Sequence, residues 1–328
     1  MSRDATEPVF EGSALTGEYT YGIGNAIEVV SRRTLHGGSM YDSILIPTDG
    51  KDGTKPAITH GIQLAAACDA TVHALYVVDL PYLSGSRAEQ RVEPLEAKLN
   101  EEGRDATASV GERAREHGLD VTETVATGLP FLSIIEYTDA HDIDLVAMGT
   151  EGAGSSKARL VGSTAKKVVR LSEVPVLTVR SVETAPTTEY TDVLLATDGT
   201  RGSRRAISHC SEFAAAYDAT VHVVSVVDSR VTRKGAGREL MAQQAEQACT
   251  DAVARISNTG VATTSDILHG HPADRILDYA DDHDIDLVVL GTHGRSGVDR
   301  FVMGSVAETV LGRATTPVLT VRDLSEED

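Results

Sequence analysis

Cysteine is scarce in this chain. There are three in 328 residues, Cys68, Cys210 and Cys249, and no two form a C-x-x-C pair. An odd count without paired spacing argues against a disulfide framework and a cysteine zinc site. It fits buried thiols in a reducing compartment, so a cytoplasmic location is expected. Long apolar runs are also missing. Stretches such as Leu145–Met148 fall far short of the roughly 20 apolar residues that a membrane-crossing helix needs. Residues 1–40 scatter Arg, Asp and Glu and contain no apolar signal-peptide core. Lysine is nearly absent, 7 against 23 arginines, and 49 acidic residues against 30 basic ones leave a net charge of −19. Such a surface repels phosphate backbones and anionic membranes, which argues against a general nucleic-acid or membrane binder. Acid excess with little lysine resembles proteins adapted to concentrated salt, where screening relieves self-repulsion. No G-x4-G-K-[ST] motif occurs, so a kinase-like or motor NTPase is disfavoured.

What is present is a duplication. The hydrophobic content of 41% and the length suit about two domains with cores of their own. Ser43–Gly50 reads like Asp192–Gly199, with Asp49 and Asp198 placed 149 positions apart. The same offset pairs His60 with His209, His73 with His222 and Asp79 with Asp228. Further on the offset is 142: His141-Asp142-Ile143-Asp144-Leu145 matches His283-Asp284-Ile285-Asp286-Leu287, and Pro175–Arg180 matches Pro317–Arg322. The second copy is therefore seven residues shorter between Asp79 and His141. A period this long marks a duplicated domain.

Each copy alternates strand and helix. In copy one the expected strands are Ile44–Pro47, Thr71–Val78, Val121–Ala126, Leu145–Met148 and Val176–Val179. The expected helices are Thr54–Cys68, Arg87–His117, Pro130–His141 and Thr164–Leu171. Apolar, non-alternating strands separated by helices predict a parallel sheet covered on both faces. The expected organisation is an extension over 1–40, a first domain over 41–180, a polar linker over 181–189, a second domain over 190–322 and an acidic tail over 323–328. The extension reads as flexible, because Met40-Tyr41-Asp42 directly before the first strand looks like a natural start.

In open α/β sheets ligands gather at the carboxyl ends of the strands. A glycine-rich loop follows the fourth strand there. It runs from Gly291 through Gly294 to Gly304-Ser305 in copy two and from Gly149 through Gly152 to Gly162-Ser163 in copy one, fitting G-x2-G-x9-G-S both times. Glycine lets backbone approach a ligand, and a helix starting at Gly-Ser offers free N–H groups to phosphate, with Ser163 and Ser305 as N-caps. With the (P/A)-T-D-G strand end, the V-V-D segment and the closing P-V-L-T-V-R, both copies resemble the universal stress protein domain and its ATP-binding branch. The resemblance spans essentially residues 40–180 and 190–322.

The resemblance implies two tandem flavodoxin-like α/β domains, each a five-stranded parallel sheet of order 3-2-1-4-5 with helices on both faces. It implies binding of ATP or AMP, with Mg2+ or Mn2+, in a stress-response or regulatory role rather than an enzymatic one. In copy two the implied site is Ala196, Thr197, Asp198, Val226, Leu290, Gly291, His293, Gly294, Arg295, Gly304, Ser305 and Val306. In copy one it is Pro47, Thr48, Asp49, Val77, Met148, Gly149, Gly152, Gly162, Ser163 and Thr164. It also implies an intramolecular pseudo-dimer through Val176–Val179 and Val318–Val321, with room for homo-oligomers and for a protein partner of unspecified chemistry.

Plainer readings stand beside these. Asp49 and Asp198 also suit Asx-turns before glycine, and Val77 and Val226 suit strand core. His269-Gly-His271 lacks the Cys or carboxylate support of a metal site and reads as loop chemistry. The recurring His60/His209 and His73/His222 read as partly buried structural residues, and Glu89–Glu102 as a solvated helix face. Copy one carries Glu151 and Ala153 where copy two has His293 and Arg295, with Lys157 and Arg159 as partial compensation. A carboxylate beside phosphates is repulsive, so tighter ATP binding is expected at copy two. The alternative function is a nucleotide-free interaction module of the same fold. A nucleotidyl transferase is disfavoured, because neither H-x-G-H nor S-G-G-x-D-S occurs.

Overall fold

The computed structural model describes residues 40–80, 89–150, 161–181, 189–229, 236–292 and 303–324. Copy one runs β1 (Ser43–Thr48), α1 (Lys55–Cys68), β2 (Thr71–Val78), α2 (Glu89–Glu116), β3 (Val121–Thr127), α3 (Pro130–Ala140), β4 (Leu145–Gly149), α4 (Ser163–Leu171) and β5 (Val176–Val179). Copy two repeats it as β6 (Asp192–Ala196), α5 (Arg201–Tyr217), β7 (Thr220–Asp228), α6 (Ala236–Ser257), β8 (Thr263–Gly270), α7 (Pro272–Asp282), β9 (Leu287–Gly291), α8 (Ser305–Arg313) and β10 (Val318–Val321).

The strands join into one ten-stranded sheet of order β3-β2-β1-β4-β5-β10-β9-β6-β7-β8. Each half therefore has the order 3-2-1-4-5, parallel throughout. The halves meet where β5 and β10 pair antiparallel, with Leu177 opposite Leu319. That pairing removes the two edges that the separate halves would expose. The central strands β4, β5 and β10 are buried along their whole length, whereas the outer strands β3 and β8 are mostly half-exposed. Burial on both faces explains why the central strands read as unbroken apolar runs.

One core cluster runs continuously beneath both halves, from Ile44 and Ile62 in copy one to Val193 and Phe213 in copy two. The opposite face carries a separate cluster under α3 and α4 and another under α7 and α8. The repeated His-Asp-Ile-Asp-Leu segment belongs to this framework. Asp142 and Asp284 take left-handed backbone angles, φ 48° and 49°, just past α3 and α7, and the next residues' N–H groups bond back to Thr138 and Ala280. Asp144 Oδ2 accepts the N–H groups of Asp42 and Ser43 at 2.9 Å, and Asp286 Oδ2 those of Thr191 and Asp192. The motif thus closes a helix and anchors the start of the first strand in each copy.

Candidate functional site

Each copy has a cleft at the carboxyl ends of its strands, on the side of the last helix. The copy-one cleft measures about 560 Å³ and the copy-two cleft about 400 Å³. Pro47, Thr48, Asp49, Val77, Met148, Gly149, Gly162, Ser163 and Thr164 all line the first. Ala196, Thr197, Asp198, Val226, Leu290, Gly291, Gly304, Ser305 and Val306 all line the second. Gly152, His293, Gly294 and Arg295 lie outside the described residues, as do Glu151, Ala153, Lys157 and Arg159.

The turn after the first strand is built from its own side chains. Gly50 N–H donates to Thr48 Oγ1 at 3.1 Å and Lys51 N–H to Asp49 Oδ1 at 3.1 Å. In copy two Gly199 N–H donates to Thr197 Oγ1 at 3.2 Å, while Thr200 N–H and Oγ1–H both reach Asp198 Oδ1. The Asx-turn reading of both aspartates is therefore realised. Gly50 and Gly199 follow with φ of 72° and 76°, the left-handed region that favours glycine.

The glycine loop is tied at its two ends. Gly162 N–H donates to Thr150 O at 2.6 Å and Gly304 N–H to Thr292 O at 2.8 Å. Thr150 N–H and Thr292 N–H in turn bond to Val179 O and Val321 O, linking the cleft floor to β5 and β10. The sequence reading of the helix start needs correction. Gly162 and Gly304 are the N-caps, and among the described residues no side chain caps α4 or α8. Ser163 and Ser305 are the first helical residues instead, so the opening N–H groups of both helices face the cleft without side-chain acceptors among the described residues. Gly149 and Gly291 also have a different reason from the one expected. A Cβ at either position would sit 2.9 Å from the carbonyl oxygen of Gly53 or Gly202, so close backbone packing already requires glycine there.

The walls differ between copies. Leu75, Leu99, Pro130 and Ile134 supply apolar surface in copy one; Val224, Met241, Pro272 and Ile276 supply it in copy two. Val77 and Val226 line the clefts and also pack against the cores behind them, so both readings of these valines hold. Tyr76 stands in copy one where copy two has Ser225. Burial, with the nearby Glu102 and Asp49 carboxylates, raises the Tyr76 phenol above its ordinary value. Thr150 Oγ1 in the first cleft is buried without a hydrogen-bond partner. Among the described residues no histidine lines either cleft. His271, at the N-cap of α7, has its Nδ1 3.5 Å from Asp274 Oδ2, and among the described residues no three His, Cys, Asp or Glu side chains cluster as a metal site.

A family model described as the universal stress protein family matches residues 40–180 and 189–322. The chain belongs to the universal stress protein family. A universal stress protein of Methanocaldococcus jannaschii is 37% identical over 145 residues, which is 44% of this chain and 85% of that relative. One from Synechocystis sp. is 25% identical over 301 residues, 85% of this chain and 99% of that relative. The crystal structure of a universal stress protein from Archaeoglobus fulgidus matches with a TM-score of 0.66 at 20% identity, covering 86% of this chain and 98% of that one, a likeness of fold.

Within this universal stress protein, motif reading missed several cleft residues: Asp79 and Asp228, Thr54 and Ser203, Thr150 and Thr292, Pro130 and Pro272, Ile134 and Ile276. Each pair occupies the same position in the two copies. Aligning the halves over their whole length, rather than at the glycine motif alone, carries the signal for all of them.

Proposed function

We propose that this protein binds an adenine nucleotide, ATP or AMP, in its two clefts, and that occupancy acts as a regulatory signal in a stress response, with copy two the stronger site. The observation that carries this reading is the uncapped helix start. In each copy a helix presents its first N–H groups and positive dipole end to a cleft closed by a Gly-to-Thr backbone bond. The cleft volumes fall within the range of about 300–1,000 Å³ usual for small-molecule sites. The apolar walls suit a base, and the Thr-Asp turns suit a ribose edge. Thr150 Oγ1 supplies a buried polar atom with capacity to spare.

Among the described residues Lys51 lines the copy-one cleft and no Lys or Arg lines that of copy two. The preference for copy two therefore rests on Arg295 and His293 against Glu151 and Ala153. Among the described residues only Asp49 and Asp79 line the first cleft with carboxylates and only Asp198 and Asp228 the second, too few for a metal cage, so Mg2+ or Mn2+ would arrive on the nucleotide phosphates and offset the acidic surface. Binding rather than turnover is the function proposed, with His293 and Arg295 of copy two read as phosphate contacts. Occupancy would order the loop closed by Gly304 and bias contacts made there.

The test is nucleotide stoichiometry: purification in high KCl, denaturation, quantification of released nucleotide, then calorimetric titration with ATP and AMP. Binding that Gly304→Val abolishes and Gly162→Val leaves largely intact supports a dominant copy-two site. Equal loss in the two variants removes the ranking. Absence of any binding moves the protein to the nucleotide-free interaction module.

A further inference from the structure

Much of the seam between the halves is duplicated. Thr178 Oγ1 donates to Val318 O at 3.0 Å, and its counterpart Thr320 Oγ1 to Val176 O at 3.2 Å. Arg180 Nη2 donates to Gly312 O at 2.6 Å and Arg322 Nη1 to Leu171 O at 2.9 Å. Tyr41 pairs with His209, and its counterpart Tyr190 with His60. Because both copies carry these groups, they would form equally well between two first copies or two second copies. They cannot select the partner.

Several seam positions do differ, among them three on or next to α4 and α8 that meet the other copy. Aligning α4 with α8 sets Val161 against Met303, Lys166 against Glu308 and Val169 against Leu311. Lys166 Nζ lies 3.8 Å from Glu308 Oε1, so this position faces its own counterpart across the seam. Leu311 of copy two is buried in the core cluster of copy one, which also holds Val161 and Val169, and Met303 packs against the clusters of both copies.

We infer that the seam has differentiated so that each copy selects the unlike copy as its partner: copy one offers Lys166 with the small Val161 and Val169, and copy two offers Glu308 with the larger Met303 and Leu311. A pair of second copies would set Glu308 against Glu308 and force two Leu311 and two Met303 side chains into space filled by one of each. A pair of first copies would oppose Lys166 to Lys166 and leave that space underfilled. An exposed ion pair by itself contributes little. Discrimination comes from the like-charge contact and the volume mismatch in the wrong pairings.

The experiment starts from the full chain with a protease site placed in the 182–188 linker. After cleavage, unfolding in urea and refolding in high KCl, native mass spectrometry separates the three pairings by mass. Unlike pairs should exceed each like pair by at least about twentyfold, the statistical factor of two multiplied by the tenfold ratio set by about 1.4 kcal/mol of discrimination. A statistical mixture, with unlike pairs only half of the total, overturns the inference. The uncut chain gives a second measurement should the halves not refold. Lys166→Glu and Glu308→Lys should each lower the urea midpoint and the double exchange should restore it. Val169→Leu with Leu311→Val should behave likewise. Effects that simply add across both pairs would count against the inference.

Discussion

His60 and His209 are pseudo-equivalent residues buried against tyrosines of the opposite copy. Burial lowers His60 to about 4, and burial with the neighbouring Arg205 guanidinium lowers His209 to about 4. In the unfolded chain both titrate near 6.5. Between those values the unfolded chain binds protons that the folded chain refuses, so stability rises with pH across this window. The contribution is fully present above about pH 6.5 and is lost as pH falls toward 4, at about 3 kcal/mol for each histidine. The urea midpoint of wild type should therefore drop between pH 7 and pH 4.5 more steeply than that of His60→Gln/His209→Gln; equal slopes would refute the assignment. At the cleft floor, Gly291→Ala should lose about 1–3 kcal/mol of stability, because the new methyl meets the Gly202 carbonyl. That loss, read by urea unfolding without any ligand, separates a packing role for Gly291 from a binding role.

At the level of elements, the last helix of each half is finished by the other half. Arg180 holds the final turn of α8 and Arg322 that of α4, each placing a cation at the negative end of a helix dipole. Arg322→Met keeps most of the aliphatic stem and removes the donor. It should cost about 1–2 kcal/mol, since the Leu171 carbonyl is left without this partner. Arg180→Met should cost a similar amount. Both losses should appear as a lower urea midpoint, and an unchanged midpoint would mean that water replaces the guanidinium at no cost. The strands divide by the same logic of position. β5 and β10 are buried because each covers the other's edge, while β3 and β8 end the sheet and keep half-exposed faces.

For the whole molecule, a net charge of −19 opposes compaction unless it is screened. Raising KCl from about 0.1 M to about 1 M shortens the screening length from about 10 Å to about 3 Å. The thermal midpoint should rise over that range. A midpoint that is flat or falling would remove the proposal that this composition serves a salt-rich interior.

Composition and repetition determined the duplicated α/β architecture and nearly every strand and helix, and the family resemblance of the repeated motifs named eighteen of the residues that line the clefts. They did so because a buried parallel strand and an amphipathic helix each impose a period on the chain, and because a duplicated motif is its own control. The tertiary structure decided what each repeated residue does. His-Asp-Ile-Asp-Leu proved to be a helix stop and a strand anchor, Ser163 and Ser305 gave up the cap to glycine, and Gly149 and Gly291 answer to backbone packing. The cross-copy contacts of Tyr41, His60, Arg180 and Lys166 were invisible in sequence, because partners more than a hundred positions apart share no local period. Only the antiparallel meeting of β5 and β10 brings them within bonding distance.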